Sequence, residues 1–176
     1  MNISLDSSLI EKMPDFKIGI IHYTKITVSD SPQMIKGRMQ LYQENLFFEM
    51  QDTPVTERPG IQEWRTLWKT LGADPNRYRH SAESLMRRIA KQNYLTPLHS
   101  AVDLNNFFSL QYEIPVGIYD TEKIQGDIII ALGDNDLGLP RMFSTMCAIP
   151  VCLVVLLQVC PAFQKINFLD KVAYVL

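Results

Sequence analysis

The order of apolar and polar positions divides the chain into a strand-like start, a helical middle and an apolar end. Residues 17–28 carry Ile18, Ile20, Tyr23, Ile26 and Val28 in a run rich in β-branched and aromatic side chains with no helical stripe, which predicts a strand. Ser29-Asp30-Ser31-Pro32 then supplies helix-start chemistry, with the proline in the first turn, where its missing N–H costs nothing. Beyond it Met34, Ile35, Met39, Leu41, Tyr42, Leu46 and Phe47 recur at three- and four-residue steps, predicting a packed helix whose wet face holds Lys36, Arg38, Gln43 and Glu44. Two prolines in residues 52–59 mark a connector to a short helix over 61–71 that Gly72 ends. After the Asp74-Pro75-Asn76 turn, Ser81 as N-cap and Glu83 in the first turn predict a helix to about Gln92, with Leu85 and Ile89 inward. A further helix is expected over 101–112, closed by Pro115 and followed by strands near 116–119 and 127–132. The fold class is therefore α/β in the mixed, α+β sense.

Composition narrows the partners. A chain of 176 residues that is 47% hydrophobic and 20% charged has enough apolar material for one domain with a true core. A formal net charge of -2 argues against a surface that binds nucleic acid all over, so any RNA contact must be a local patch. Cys147, Cys152 and Cys160 have neither zinc-site nor disulfide-framework spacing, which points to a reduced interior. The first residues lack a positive segment followed by an apolar one, and the cytoplasm is the expected compartment. His22, His80 and His99 are scattered, so no metal site is expected, and the absence of a phosphate-cradling glycine loop argues against ATP chemistry. No cofactor is expected.

One local patch does stand out. Arg65, Lys69, Arg77, Arg79, Arg87 and Arg88 are interleaved with Trp64, Trp68 and Tyr78, and Lys91 follows closely. Guanidinium groups grip phosphates bidentately and aromatic faces stack unpaired bases, a mixture suited to an RNA backbone with a single-stranded end. The same residues would equally serve surface ion pairs and a tryptophan-rich core.

The wording of this stretch adds to its charge. Trp64-Arg65, the run Leu71-Gly72-Ala73-Asp74-Pro75-Asn76-Arg77-Tyr78-Arg79, and Ser81-Ala82-Glu83-Ser84-Leu85-Met86-Arg87-Arg88 are followed in order by Val102-Asp103-Leu104-Asn105-Asn106, Pro115-Val116-Gly117-Ile118-Tyr119-Asp120 and Lys123-Ile124-Gln125-Gly126. Together they resemble the free-standing relatives of the B3/B4 editing and tRNA-binding domain of the phenylalanyl-tRNA synthetase β subunit. The resemblance implies a B3/B4-type mixed sheet with flanking helices over residues 1–138, followed by a divergent apolar tail over 139–176. It also implies a tRNA-binding protein that hydrolyses a wrongly attached amino acid in trans, with a tRNA or aminoacyl-tRNA 3′ end and a small amino acid as ligands. Asn105 and Asn106 align with the family's pocket-facing Thr-Asn pair and are the catalytic candidates. Asp103, Gly117, Tyr119 and Asp120 are the substrate-pocket candidates, and Arg65, Arg77, Arg79, Arg87, Arg88 and Lys91 the tRNA contacts. Gly117 stands where bacterial synthetases carry a histidine, which removes one polar pocket group and leaves the amino-acid specificity open. Helix capping is the competing role for Asp103 and Asn105, and anchoring a strand end for Tyr119 and Asp120. A non-catalytic binding module and an inactive truncated product are the alternative functions.

The resemblance stops after about Gly138. Residues 142–164 are uncharged and long enough for a bilayer span of roughly 20 residues, although Pro150, Gln158 and Pro161 interrupt them. Three accounts stand open for this tail: a buried strand pair, a membrane segment that the interruptions disfavour, and a change of reading frame near Pro140. Permitted codons let a shifted frame spell the glycine-rich run with which the free-standing relatives continue.

Overall fold

The computed structural model describes residues 2–124, 126–130, 151–158 and 173–174, the last two stretches through their backbone pairing. Helix α2 (Gln33–Asp52) begins after Pro32 and runs five residues beyond Phe47, because Met39, Gln43, Leu46 and Met50 continue one buried row at alternating four- and three-residue steps. Helix α3 (Pro59–Thr70) buries Gly60, Ile61, Trp64 and Leu67. It ends as predicted at Gly72, whose φ of 84° lets the Gly72 and Ala73 N–H groups turn back onto the carbonyls of Lys69 and Trp68. Helix α4 (Ser81–Ile89) starts one residue earlier than the sequence suggested. His80 is its N-cap, without a side-chain bond, and Ser81 is already helical.

Helix α5 (Ser100–Tyr112) is capped by His99, whose Nδ1 accepts from the Val102 N–H at 3.3 Å, and it closes at Glu113, held left-handed at φ 59°. The four long helices enclose the main core, in which Leu46, Ile61, Met86, Ile89 and Leu110 are fully buried. At about 25 cal/mol per Å² of apolar surface, each such side chain contributes roughly 1.5–3 kcal/mol.

Strands complete the mixed architecture. β1 (Ile3–Leu5) pairs in parallel with β4 (Ile128–Ile130). β2 (Lys17–Thr24), β3 (Val116–Asp120), β5 (Val151–Gln158) and β6 (Ala173–Tyr174) form a four-stranded sheet ordered β3-β5-β2-β6, with antiparallel neighbours throughout. The strand predicted to reach Val28 stops at Thr24 because Lys25 adopts a φ of 57°, which breaks the extended run. β1 and α1 (Ser7–Lys12) are too short to leave a periodic signal, and α1 is held by the Asp6 carboxylate accepting from the Ser8 N–H at 2.9 Å. Within the apolar tail, residues 151–158 form a strand paired by β2 on one side and β3 on the other. No helix among the described residues is long and apolar enough to cross a membrane. Pro140 and its neighbours, where a change of frame would begin, lie outside the described residues, as do 131–132 of the second predicted late strand.

The end of α5 is tied to the start of α3. Glu113 accepts from the Gly60 N–H at 2.8 Å and from Arg58 Nε at 2.6 Å, and Arg58 also reaches Glu49 at 3.2 Å. A carboxylate at a helix N-terminus is favoured by the helix dipole and satisfies an otherwise orphaned donor. A Cβ built on Gly60 would lie 2.6 Å from Glu113 Cβ. Gly60→Ala is therefore expected to destabilise the fold by about 1–3 kcal/mol through overpacking, a loss that chemical denaturation would read directly.

Candidate nucleic-acid interface

Helix α4 faces two ways. Ala82, Glu83, Met86 and Ile89 are turned inward. Arg87 and Arg88 lie three and four residues after Ser84 and four and three before Lys91, so the four line up on one outer side. Lys91 and Asn93 are presented by the turn that follows, where Gln92 takes a φ of 58° and the Asn93 N–H returns to the Arg88 carbonyl at 3.0 Å. Against this side lies the connector after α2, and between them runs an open groove of about 670 Å³. Arg79, Arg87, Arg88 and Lys91 line it together with Ser84 and Asn93, over a floor that includes Met50, Pro54 and Val55. Among the described residues no acidic one lines it. Four of the six predicted RNA contacts thus converge from a turn, a helix and a helix end, where their field adds up.

The other two lie apart. Arg77 is exposed with its guanidinium 5.4 Å from the Tyr78 ring centroid. Arg65 is turned inward: it donates to Glu83 Oε1 at 2.9 Å, to the Pro75 carbonyl at 3.1 Å and to Asn76 Oδ1 at 2.6 Å. Its charge is committed to holding the 74–78 turn against α3 and α4. Glu83, fully buried, also accepts from Arg87 Nε at 2.9 Å, so one carboxylate oxygen holds two arginines. The other oxygen has no partner among the described residues. Beside this network His80 is buried against Trp64, with ring centroids 5.5 Å apart and neither ring nitrogen partnered among the described residues. Trp64 of the predicted base-stacking mixture is consequently a packing residue, 5% exposed, with Trp68 half-buried beside it at 6.4 Å between ring centroids.

The polar residues of α5 meet β3. Asn105 donates from Nδ2 to the Val116 carbonyl at 3.1 Å, while its Oδ1 is buried and has no partner among the described residues. Asn106 is half-buried on the next position of the helix. Asp103 is buried and fully employed, accepting from Ser31 Oγ at 2.5 Å and from the Leu98 N–H at 3.0 Å. It fastens the loop before α5 to the loop before α2, while the capping role the sequence offered it falls to His99. Asp120 likewise accepts from the Glu122 N–H at 3.0 Å and caps the short turn after β3. At Gly117 a Cβ would fall 2.9 Å from the Tyr119 ring. The tyrosine therefore leans over the glycine and fills the space a pocket histidine would need, and burial raises its hydroxyl pKa.

Residues 63–139 match the family model of the B3/4 domain. This chain carries a B3/4 domain. Chain and domain are also similar to the uncharacterized protein YhzB of Bacillus subtilis (strain 168), at 35% identity over 136 residues. That similarity spans 77% of this chain and 66% of the relative, just under two thirds of its length. No solved structure matches significantly. Glu83, the groove residues of α4, the asparagine pair and β3 all fall inside the B3/4 match, whereas the floor residues Met50, Pro54 and Val55 come from the segment before it.

Two features of the B3/4 domain escaped the sequence reading. The groove contributions of Ser84 and Asn93 went unnoticed, although the helical spacing of residues 84, 87, 88 and 91 would have shown the stripe. Glu83 was legible only as a helix-start acid, because nothing local announces that two arginines converge on it. His80 carries a consequence for pH. Burial, the largest cause, lowers its pKa to about 4 from 6.5, with Glu83 opposing and Arg65 assisting. The unfolded chain thus binds a proton that the fold refuses between these values. Stability is fully present above pH 6.5 and falls as the pH drops towards 4, by on the order of 3 kcal/mol. Unfolding free energies measured across this range should lose most of that slope in His80→Phe.

Proposed function

We propose that this chain binds the acceptor end of a tRNA through the groove beside α4, and that it hydrolyses a wrongly attached amino acid at Asn105 and Asn106 on α5. The observation that carries the binding half is the convergence of Arg79, Arg87, Arg88 and Lys91 in a groove that no acidic residue lines among the described residues, on a chain whose net charge is negative. On a surface of that overall sign, a concentrated positive groove selects a polyanion locally rather than through the whole molecule. The B3/4 match supports a phenylalanyl-tRNA-synthetase-like module, in keeping with a tRNA ligand. The hydrolytic half rests on Asn105 and Asn106. The buried Oδ1 of Asn105, without a partner among the described residues, is an acceptor able to hold a water, and Asn106 offers further donors to orient the ester carbonyl. Water attack on the ester carbon would release the free amino acid and return the ribose hydroxyl to the tRNA.

The experiment uses a panel of mischarged tRNAs, with binding and amino-acid release measured separately. The expected result is binding of tRNA together with release from at least one mischarged species. Asn106→Ala should abolish release and leave affinity unchanged. Binding without release would reduce the chain to a non-catalytic module, and absence of both would overturn the reading.

A further inference from the structure

Ser84 differs from its neighbours in the α4 groove, because it is the wrong kind of ligand for a phosphate. The side chains of Arg79, Arg87, Arg88 and Lys91 offer only donors, which is what phosphate oxygens require. Ser84 offers the reverse. Its Oγ donates to the His80 carbonyl one turn back, at 3.1 Å, so its single proton is spent inside the helix and only lone pairs are left for the groove. Thr56 and Asn93 also line the groove, with side-chain donors that no other described residue takes up, and so remain able to serve a phosphate. A phosphate placed against Ser84 would set oxygen against oxygen with no proton between them. The partner that fits Ser84 is an O–H or N–H donor held beside the phosphate.

We propose, on the reading of the groove as a nucleic-acid site, that Ser84 Oγ accepts a hydrogen bond from a ribose 2′-hydroxyl and makes the groove prefer RNA over a strand that lacks it. In a polynucleotide the donors are the 2′-hydroxyls and the base amines and imines, since the phosphodiester backbone carries none. The position of Ser84 decides between them. It lies one turn, about 5.4 Å, before Arg87 and Arg88 on the same side of α4, so a phosphate held by these arginines brings the ribose joined to it alongside Ser84. The base extends from the far side of that ribose, where the groove meets it with the apolar floor of Met50, Pro54 and Val55. Phosphate on the cations, ribose on Ser84 and base on the floor give each part of a nucleotide a surface of matching chemistry. The 2′-hydroxyl, which can donate, is the group that separates RNA from DNA.

Affinities of the full chain for an RNA hairpin with an unpaired 3′ overhang, and for the same hairpin with 2′-fluoro sugars throughout the overhang, test the contact. Fluorine keeps the sugar pucker of RNA and has no proton to give. The wild type should bind the fluoro hairpin roughly fivefold more weakly, the worth of one hydrogen bond. Ser84→Ala should bind both hairpins equally, at the level of the wild type on the fluoro hairpin, and with the wild-type salt slope because no charge is lost. Its melting temperature should not fall, since alanine is the better helix former. An overhang of uridines alone, which have no exocyclic amine, should leave the Ser84→Ala effect in place. Disappearance of the effect there would make a base amine the donor and overturn the ribose contact. A wild type that binds both hairpins equally, or a Ser84→Ala that keeps the full discrimination, overturns the ribose contact and leaves the groove reading standing. Absence of binding to any hairpin at low salt overturns the groove reading and the ribose contact with it.

Discussion

Changing Arg79, Arg87, Arg88 and Lys91 together to alanine should weaken tRNA binding by roughly 10²–10³-fold near 0.1 M salt and flatten its salt dependence by about three units of log-log slope. The reasoning is counterion release. Each cation that meets a phosphate frees condensed counterions, at roughly 0.7 of a unit per contact on single strands and 0.9 on a duplex, and the groove supplies four cations. Arg87→Ala also takes one donor from Glu83, so the variant Arg79→Ala, Arg88→Ala, Lys91→Ala isolates the binding effect from the folding effect. It should lose most of the affinity and melt like the wild type. Arg77→Ala is the matched control: an exposed arginine of the same segment, outside the groove and stacked on Tyr78, whose loss should change affinity only a few-fold at most. A control that falls as far as the groove variant would show that segment charge, not groove geometry, governs binding.

Glu83→Ala carries the largest expected loss of stability. The carboxylate is fully buried and neutralises Arg65 and Arg87, whose side chains are 17% and 37% exposed. Removing it leaves two cations facing each other with no counter-charge, and breaking a buried pair in this way costs about 3–5 kcal/mol. For a chain of this size that corresponds to a fall in melting temperature of on the order of 10 °C. Glu83→Gln keeps the volume and one acceptor, so it should fall between the wild type and Glu83→Ala. Equal stability of all three in urea titrations would mean that the network contributes nothing. The substitution should also weaken tRNA binding at temperatures where the fold persists, since Arg87 would lose the bond that fixes its guanidinium beside the groove.

How much of this was legible in the sequence differs by element. The helices over 33–52, 59–70, 81–89 and 100–112 were foreseen because three- and four-residue periodicity and punctuation by Pro32, Gly72 and Pro115 are local signals that tertiary packing reinforced. Ends were missed where a single residue decided them. Lys25 cut the first long strand by adopting a left-handed backbone, and His80 displaced Ser81 as the cap. The basic cluster was legible as composition, yet composition could not say which arginines point outward. Arg65 and Arg79 look alike in the chain, and only the folded position of Glu83 draws the first inward and leaves the second in the groove. Asp103 shows the same limit, since its partners Ser31 and Leu98 are chosen by the packing of distant loops. In α2, Leu41 was grouped with the core positions, and the structure places it outside.

The account rests on the groove being a phosphate site, and the salt dependence of tRNA binding by the unmodified chain tests that most directly. Binding of an uncharged tRNA, titrated from about 50 to 200 mM monovalent salt, should weaken along a log-log line of slope close to -3, the value for four cations engaged on phosphates. Absence of binding at the lowest salt, or an affinity that does not change across the series, would contradict it.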